Sequence, residues 1–158
     1  MRTYNVLFLC TGNSARSILA EAILNKEGAG RFQAYSAGSH PKGEVHPGAL
    51  KLLGELGFPT EGLRSKSWDE FATAAAPSLD FVITVCGNAA GEVCPVWPGR
   101  PSRFHWETED PAAVDADAQP RAFREAFHAL KQRIDLFLAL PGEEIEELSR
   151  QARPANAG

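Results

Sequence analysis

The sequence predicts an α/β fold, a three-layer sandwich with a central four-stranded parallel sheet. Three observations carry that reading. The runs "TYNVLFLC" and "DFVITVC" are apolar without clean alternation, which suits parallel strands buried on both faces. Segments with helical spacing of apolar residues fall between such runs, so strand and helix alternate along the chain. The composition is that of one compact domain: 158 residues, 44% hydrophobic and 23% charged. We expect the main domain over residues 1–142, and a C-terminal helical extension with a flexible tail over 143–158.

The elements follow in order. The first strand runs from Thr3 to Cys10, and a helix from about Arg16 to Glu27 carries Ile18, Leu19, Ala22 and Ile23 before stopping at Gly28. "FQAYSAG" reads as a second short strand. In "GALKLLGELG" the spacing of Leu50, Leu53 and Leu56 predicts a helix ending at Gly57, two residues before Pro59. "DFVITVC" repeats the first strand and again ends in a cysteine. The glycines and prolines between Cys86 and Ser102 predict a loop, "RFHW" the last strand, and "ETEDP" a turn. Phe123, Phe127, Leu130, Ile134 and Phe137 draw an apolar stripe on a helix from Gln119 to Leu140. "EEIEELSRQ" predicts a last exposed helix, and "ARPANAG" a frayed tail.

Charge and cysteine usage narrow the function classes. A formal net charge of -4 argues against a nucleic-acid surface. The apolar run after Arg2 is too short for a secretory signal, and no stretch approaches membrane-spanning length, so a cytoplasmic location is expected. Three cysteines, an odd number in a reducing cytosol, argue against a disulfide framework. They can pass an oxidation from one thiol to another once one of them is activated.

The segment "CTGNSARS" supplies the activating environment. A loop entering a helix N-terminus collects backbone N–H groups without partners, and with the helix dipole these cradle a tetrahedral oxyanion. Cys10 sits at its floor; Thr11, Gly12, Asn13, Ser14 and Ala15 form its wall. Gly12 and Asn13 are residue types that tolerate unusual backbone angles. The field that attracts an oxyanion also favours thiolate over thiol. Arg16 can grip two oxygens through its planar fork, and Ser17 can donate to the thiolate or to a leaving sulfur. No "GK[ST]" follows the glycine, so this is not an ATP-binding loop.

"VLFLCTGNSARSILAEA" resembles the active-site segment of the low-molecular-weight protein tyrosine phosphatase superfamily, with "SAG" at Ser36 to Gly38 and "EDP" at Glu109 to Pro111 in matching order. Several details resemble its thioredoxin-coupled arsenate reductase branch. These are "NSARS", the strand ending in Cys86, Cys94 followed by proline, and "HW" shortly before Asp110. The resemblance implies that Cys10 attacks arsenate while Asp110 protonates the departing oxygen. It further implies that Cys86 attacks Cys10 and that Cys94 resolves the bridge as a Cys86–Cys94 disulfide. By the same resemblance, reduced thioredoxin is expected to supply the electrons, phosphate and sulfate to compete as anions, and no tightly bound cofactor or metal is expected. Asn13, Glu21 and Ser36 match positions that order the loop in related reductases. The competing reading is a phosphatase acting on phosphotyrosine or a small phosphomonoester, which uses Cys10, Arg16 and Asp110 and leaves the other two thiols idle. A zinc site from Cys86, Cys94 and His105 lacks a close cysteine pair and a fourth ligand. His40, His46 and His128 read as solvated or loop residues.

Overall fold

The structure, a computed structural model, describes residues 2–86 and 101–150. Among them are four strands, β1 (Tyr4–Leu9), β2 (Phe32–Ala37), β3 (Phe81–Thr84) and β4 (Ser102–His105). The helices are α1 (Arg16–Glu27), α2 (Pro47–Glu55), α3 (Gln119–Leu138) and α4 (Gly142–Arg150). The strands form one parallel sheet in the order β2-β1-β3-β4, as the sequence predicts. Val6, Leu7, Phe8 and Leu9 are all fully buried, so both faces of β1 are covered. That explains why its sequence lacks alternation.

The strand order places the functional end. From β1 the chain crosses through α1 to β2 on one side, then returns past β1 to β3 on the other. Such a reversal opens a crevice beyond the carboxyl ends of the strands. Leu9 pairs with Thr84, and the Val85 N–H donates to the Leu9 carbonyl at 2.9 Å. Cys10 and Cys86 therefore leave adjacent strands at the same edge.

An aromatic cluster pins the long helix α3 to the sheet. Phe137 packs against Phe32 at 5.1 Å and edge-on against Phe81 at 5.3 Å between ring centroids. Phe123, Leu130 and Ile134 complete the predicted stripe and are almost wholly buried. The helix ends at Leu138 rather than Leu140. Pro141 disfavours helical backbone at residue 140, and the Leu140 N–H instead closes a tight turn onto the Phe137 carbonyl at 3.2 Å.

Two expectations change. Helix α4 is not simply exposed: Ile145 and Ser149 are fully buried, and Ser102 Oγ–H on the edge strand β4 donates to the Leu148 carbonyl at 2.5 Å. Its apolar positions are too few for a conspicuous stripe, yet they suffice to cover one strand. His46 is not a plain loop residue either, since its Nδ1 accepts from the Gly48 N–H at 2.9 Å and caps α2. The predicted loop over 87–100, with Cys94, and the tail from residue 151 onward lie outside the described residues.

Because Ile145 is fully buried while Leu136 is 70% exposed, the two should respond differently to truncation. Ile145→Ala should lower the unfolding free energy in urea by about 2–5 kcal/mol. Leu136→Ala should change it by less than about 0.5 kcal/mol.

Candidate active site

The loop between β1 and α1 is shaped from behind by one side chain. Asn13 is fully buried and adopts φ 44°, the only positive φ at a non-glycine among the described residues. Its Nδ2 donates to Ser17 Oγ at 2.8 Å and to Ser36 Oγ at 3.0 Å, while its Oδ1 accepts from the Lys66 N–H at 2.8 Å. These bonds tie the loop to α1, to β2 and to the segment after α2. Asparagine tolerates the left-handed backbone that lets the loop curl. Of the predicted loop residues it alone does not line the cavity in front.

That cavity has a volume of about 200 Å³ and is lined by Cys10, Thr11, Gly12, Ser14, Ala15 and Arg16 from the loop, with His40, Lys42 and Asp110 at its rim. Helix α1 begins at Arg16 with no side-chain cap at Ala15 and no acidic residue in its first turn. Nothing on the helix therefore offsets its positive end, which suits an anion. Cys10 is 3% exposed at the floor, with Sγ 3.0 Å from Ser17 Oγ. Asn13 already donates to Ser17 Oγ, so the serine's own proton is free to turn to the sulfur.

Arg16 and Asp110 face each other across the opening. Arg16 donates from Nη1 to the Thr108 carbonyl at 3.1 Å, and its Nη2 lies 3.7 Å from Asp110 Oδ2. Asp110 also accepts from the Ala112 N–H at 2.9 Å, which orients the carboxylate at the start of a short 3-10 turn. Its side chain remains 39% exposed, open to an incoming ligand.

Cys86 joins the same constellation. It is a free thiol, 2% exposed, and its Sγ lies 3.7 Å from Thr11 Oγ1 on the anion loop. Cys94 lies outside the described residues. His105 is occupied otherwise, with Nδ1 2.6 Å from Thr84 Oγ1 and Nε2 2.9 Å from Glu107 Oε1. No cluster of three or more metal-ligating side chains occurs among the described residues.

Behind the loop, Ser36 Oγ donates to Glu21 Oε1 at 2.5 Å, and Lys66 Nζ approaches the same oxygen at 3.9 Å. Burial pushes the Glu21 carboxyl up from the usual glutamate range, opposed by the Lys66 charge and the Ser36 bond. Burial pushes the Lys66 ammonium down, opposed chiefly by Glu21.

Sequence reasoning missed the second wall of the site. Segment 40–46 runs beside the loop, with the N–H groups of His40, Lys42 and His46 donating to the carbonyls of Thr11, Gly12 and Ser14 at 2.9, 3.0 and 2.9 Å. The stretch "SHPKGEVHP" shows only turn composition, and a ladder between distant loops leaves no periodicity to read. Gly38 was legible only as part of a matching "SAG". A side chain there would put Cβ 2.4 Å from the Thr11 carbonyl oxygen and 2.7 Å from that of Cys10.

A family model for low molecular weight phosphotyrosine protein phosphatase matches residues 5–154 of the chain. The chain is 36% identical over 134 residues to the arsenate reductase of Halalkalibacterium halodurans, covering 84% of this chain and 93% of that one. Among solved structures, an arsenate reductase in the phosphate binding state superposes with a TM-score of 0.69 at 27% identity, covering 92% of this chain and 99% of that chain. The thioredoxin-dependent arsenate reductase of Corynebacterium glutamicum gives 0.67 at 29% identity; 92% of this chain is covered but 63% of that longer one.

The close approach at Gly38 yields a test. Gly38→Ala must displace loop backbone, so it should destabilise the fold by about 1–3 kcal/mol and abolish phosphate binding in titration calorimetry. Gly54→Ala, on α2 with nothing within 4 Å of the added carbon, should leave phosphate binding intact and stabilise by up to about 1 kcal/mol.

Proposed function

The chain belongs to the low molecular weight phosphotyrosine protein phosphatase family, and on that premise we propose that it is an arsenate reductase drawing its electrons from reduced thioredoxin. The observation that carries the reading is Cys86, a second free and buried thiol lying against the anion loop. Hydrolysis of a phosphate ester needs Cys10, Arg16, Asp110 and water; reduction needs another thiol beside the first. The likeness to arsenate reductases, one of them thioredoxin-dependent, supports the same choice.

In this mechanism arsenate enters the loop as a tetrahedral anion held by backbone N–H groups and by Arg16. The Cys10 thiolate attacks arsenic, and Asp110 gives a proton to the oxygen that leaves as water. Cys86 as thiolate then attacks Cys10 Sγ. A sulfur–sulfur bond forms, the sulfur–arsenic bond breaks with its electron pair going to arsenic, and arsenite departs as arsenic(III). Cys94 attacks Cys86 Sγ and releases Cys10 as thiolate, with Ser17 donating to the leaving sulfur. Thioredoxin reduces the resulting Cys86–Cys94 disulfide by thiol exchange. The net change is arsenate plus two thiols to arsenite, water and one disulfide. Such chemistry belongs in a reducing cytoplasm and serves arsenic detoxification.

Purified protein with arsenate, thioredoxin, thioredoxin reductase and NADPH should consume NADPH in step with arsenite formed. No NADPH consumption, alongside brisk hydrolysis of an aryl phosphate, would assign the site to a phosphatase instead. Cys86→Ser should stop turnover while leaving Cys10 open to alkylation and phosphate binding unchanged.

Asp110→Asn should slow the first chemical step by about 10²–10⁴-fold in single-turnover measurements. An unchanged rate would remove Asp110 from the mechanism.

A further inference from the structure

Lys66 is a buried charge that the mechanism leaves unused. It is 8% exposed in the segment between α2 and the short turn at Trp68–Phe71. That segment is fastened behind the anion loop: the Gly38 N–H donates to the Lys66 carbonyl at 3.0 Å, and the Trp68 N–H to the Gly38 carbonyl at 2.9 Å. Its ammonium donates to the Arg64 carbonyl at 2.8 Å and faces Glu21 Oε1 at 3.9 Å. The side chains of Lys66 and Glu21 are 7% and 13% exposed, so each is the other's principal relief from the cost of a buried charge. Arg64, the next cation, is taken up by a bidentate pair with Glu70 at 2.6 and 2.9 Å.

From Glu21 a continuous chain of hydrogen bonds leads to the sulfur. An ionised carboxylate can only accept, so Ser36 must point its proton at Glu21 and offer its lone pair to Asn13 Nδ2. The other proton on Nδ2 goes to Ser17 Oγ, which leaves the Ser17 proton for Cys10 Sγ, 3.0 Å away. The main-chain N–H of Lys66 meets the remaining end of the same amide at Oδ1 and sets its orientation. Lys66 thus acts on Asn13 from both sides, once through the backbone and once through its ammonium.

We infer that Lys66 is a positioning residue for Cys10: its ammonium is the counter-charge to Glu21 at the far end of the chain Glu21–Ser36–Asn13–Ser17 that aims the Ser17 hydroxyl at the sulfur. Without the counter-charge, Glu21 takes up a proton or turns to solvent. Ser36 then loses its fixed acceptor, and the Ser17 proton loses its fixed direction. In the proposed reduction, on which the kinetic part of this inference rests, the effect falls on the attack of Cys10 on arsenic.

The test reads Cys10 directly. Alkylation by iodoacetamide at pH 7, followed by peptide mapping to separate the three thiols, should slow about tenfold at Cys10 in Lys66→Ala, the scale of one charge-assisted hydrogen bond. Ethylammonium ion, which fits the space vacated by the side chain, should restore most of the rate. In a Glu21→Gln background there is no carboxylate to balance, so adding Lys66→Ala should change the rate by less than about twofold. That comparison also stands if Lys66→Ala alone fails to fold. An equal tenfold loss in both backgrounds, or an unaltered rate in Lys66→Ala, would overturn the inference. If the wild type reduces no arsenate while the alkylation pattern holds, the proposed reaction fails and the role of Lys66 stands.

Discussion

The site depends on one buried amide. Asn13 holds a left-handed backbone turn that most residues adopt only at a cost, and it does so because both ends of its side chain are engaged inside the fold. A left-handed asparagine on an exposed loop would sample other conformations. Here three elements must move before the side chain can leave, so the curl of the anion loop is set by packing rather than by the loop itself. The near-contact of Gly38 with the Thr11 and Cys10 carbonyls closes the same region from β2.

With its shape secured from behind, the loop can keep its front free for an anion. The uncapped start of α1, the guanidinium of Arg16 and the exposed Lys42 present positive charge to a cavity at whose rim Asp110 is the one carboxylate among the described residues. Asp110 is itself steadied by the Ala112 N–H and by Arg16. The arrangement therefore offers an acid and an oxyanion clamp on opposite sides of one opening. In a protein of net charge -4, these groups set positive charge around the mouth of this site.

The sheet order brings the second thiol. Because β3 lies directly beside β1, the chain leaving β3 brings Cys86, two residues on, next to the anion loop without any special loop geometry. Cys86 is buried among the same core residues as Cys10, which keeps it near the loop and away from bulk oxidants. The larger cavity of about 680 Å³, whose walls include Glu21, Lys66 and Tyr35, lies behind the loop, and no thiol among the described residues lines it. Glu21 and Lys66 in its wall belong to the hydrogen-bonded support of the site in front.

Much of this was legible in the sequence, and the reason is local. The doubly buried strands, the helix from Arg16, and the cysteine, glycine and arginine of the loop occupy one contiguous stretch, where spacing and residue type report the chemistry directly. Asp110 and Cys86 were singled out only through their order along a resembling chain, since neither turn composition nor a strand-end thiol distinguishes them. Lys42, the capping by His46, the pairing of Lys66 with Glu21, and the burial of Ile145 in α4 were not legible at all. Each arises from segments tens of residues apart meeting in space, and burial of a charge or a lone apolar side chain leaves no periodic trace in the chain. The sequence by itself determined the strands, the first helix and the anion loop. The tertiary structure decided which charges face that loop and which stand behind it, because long-range packing alone chooses the neighbours of a side chain.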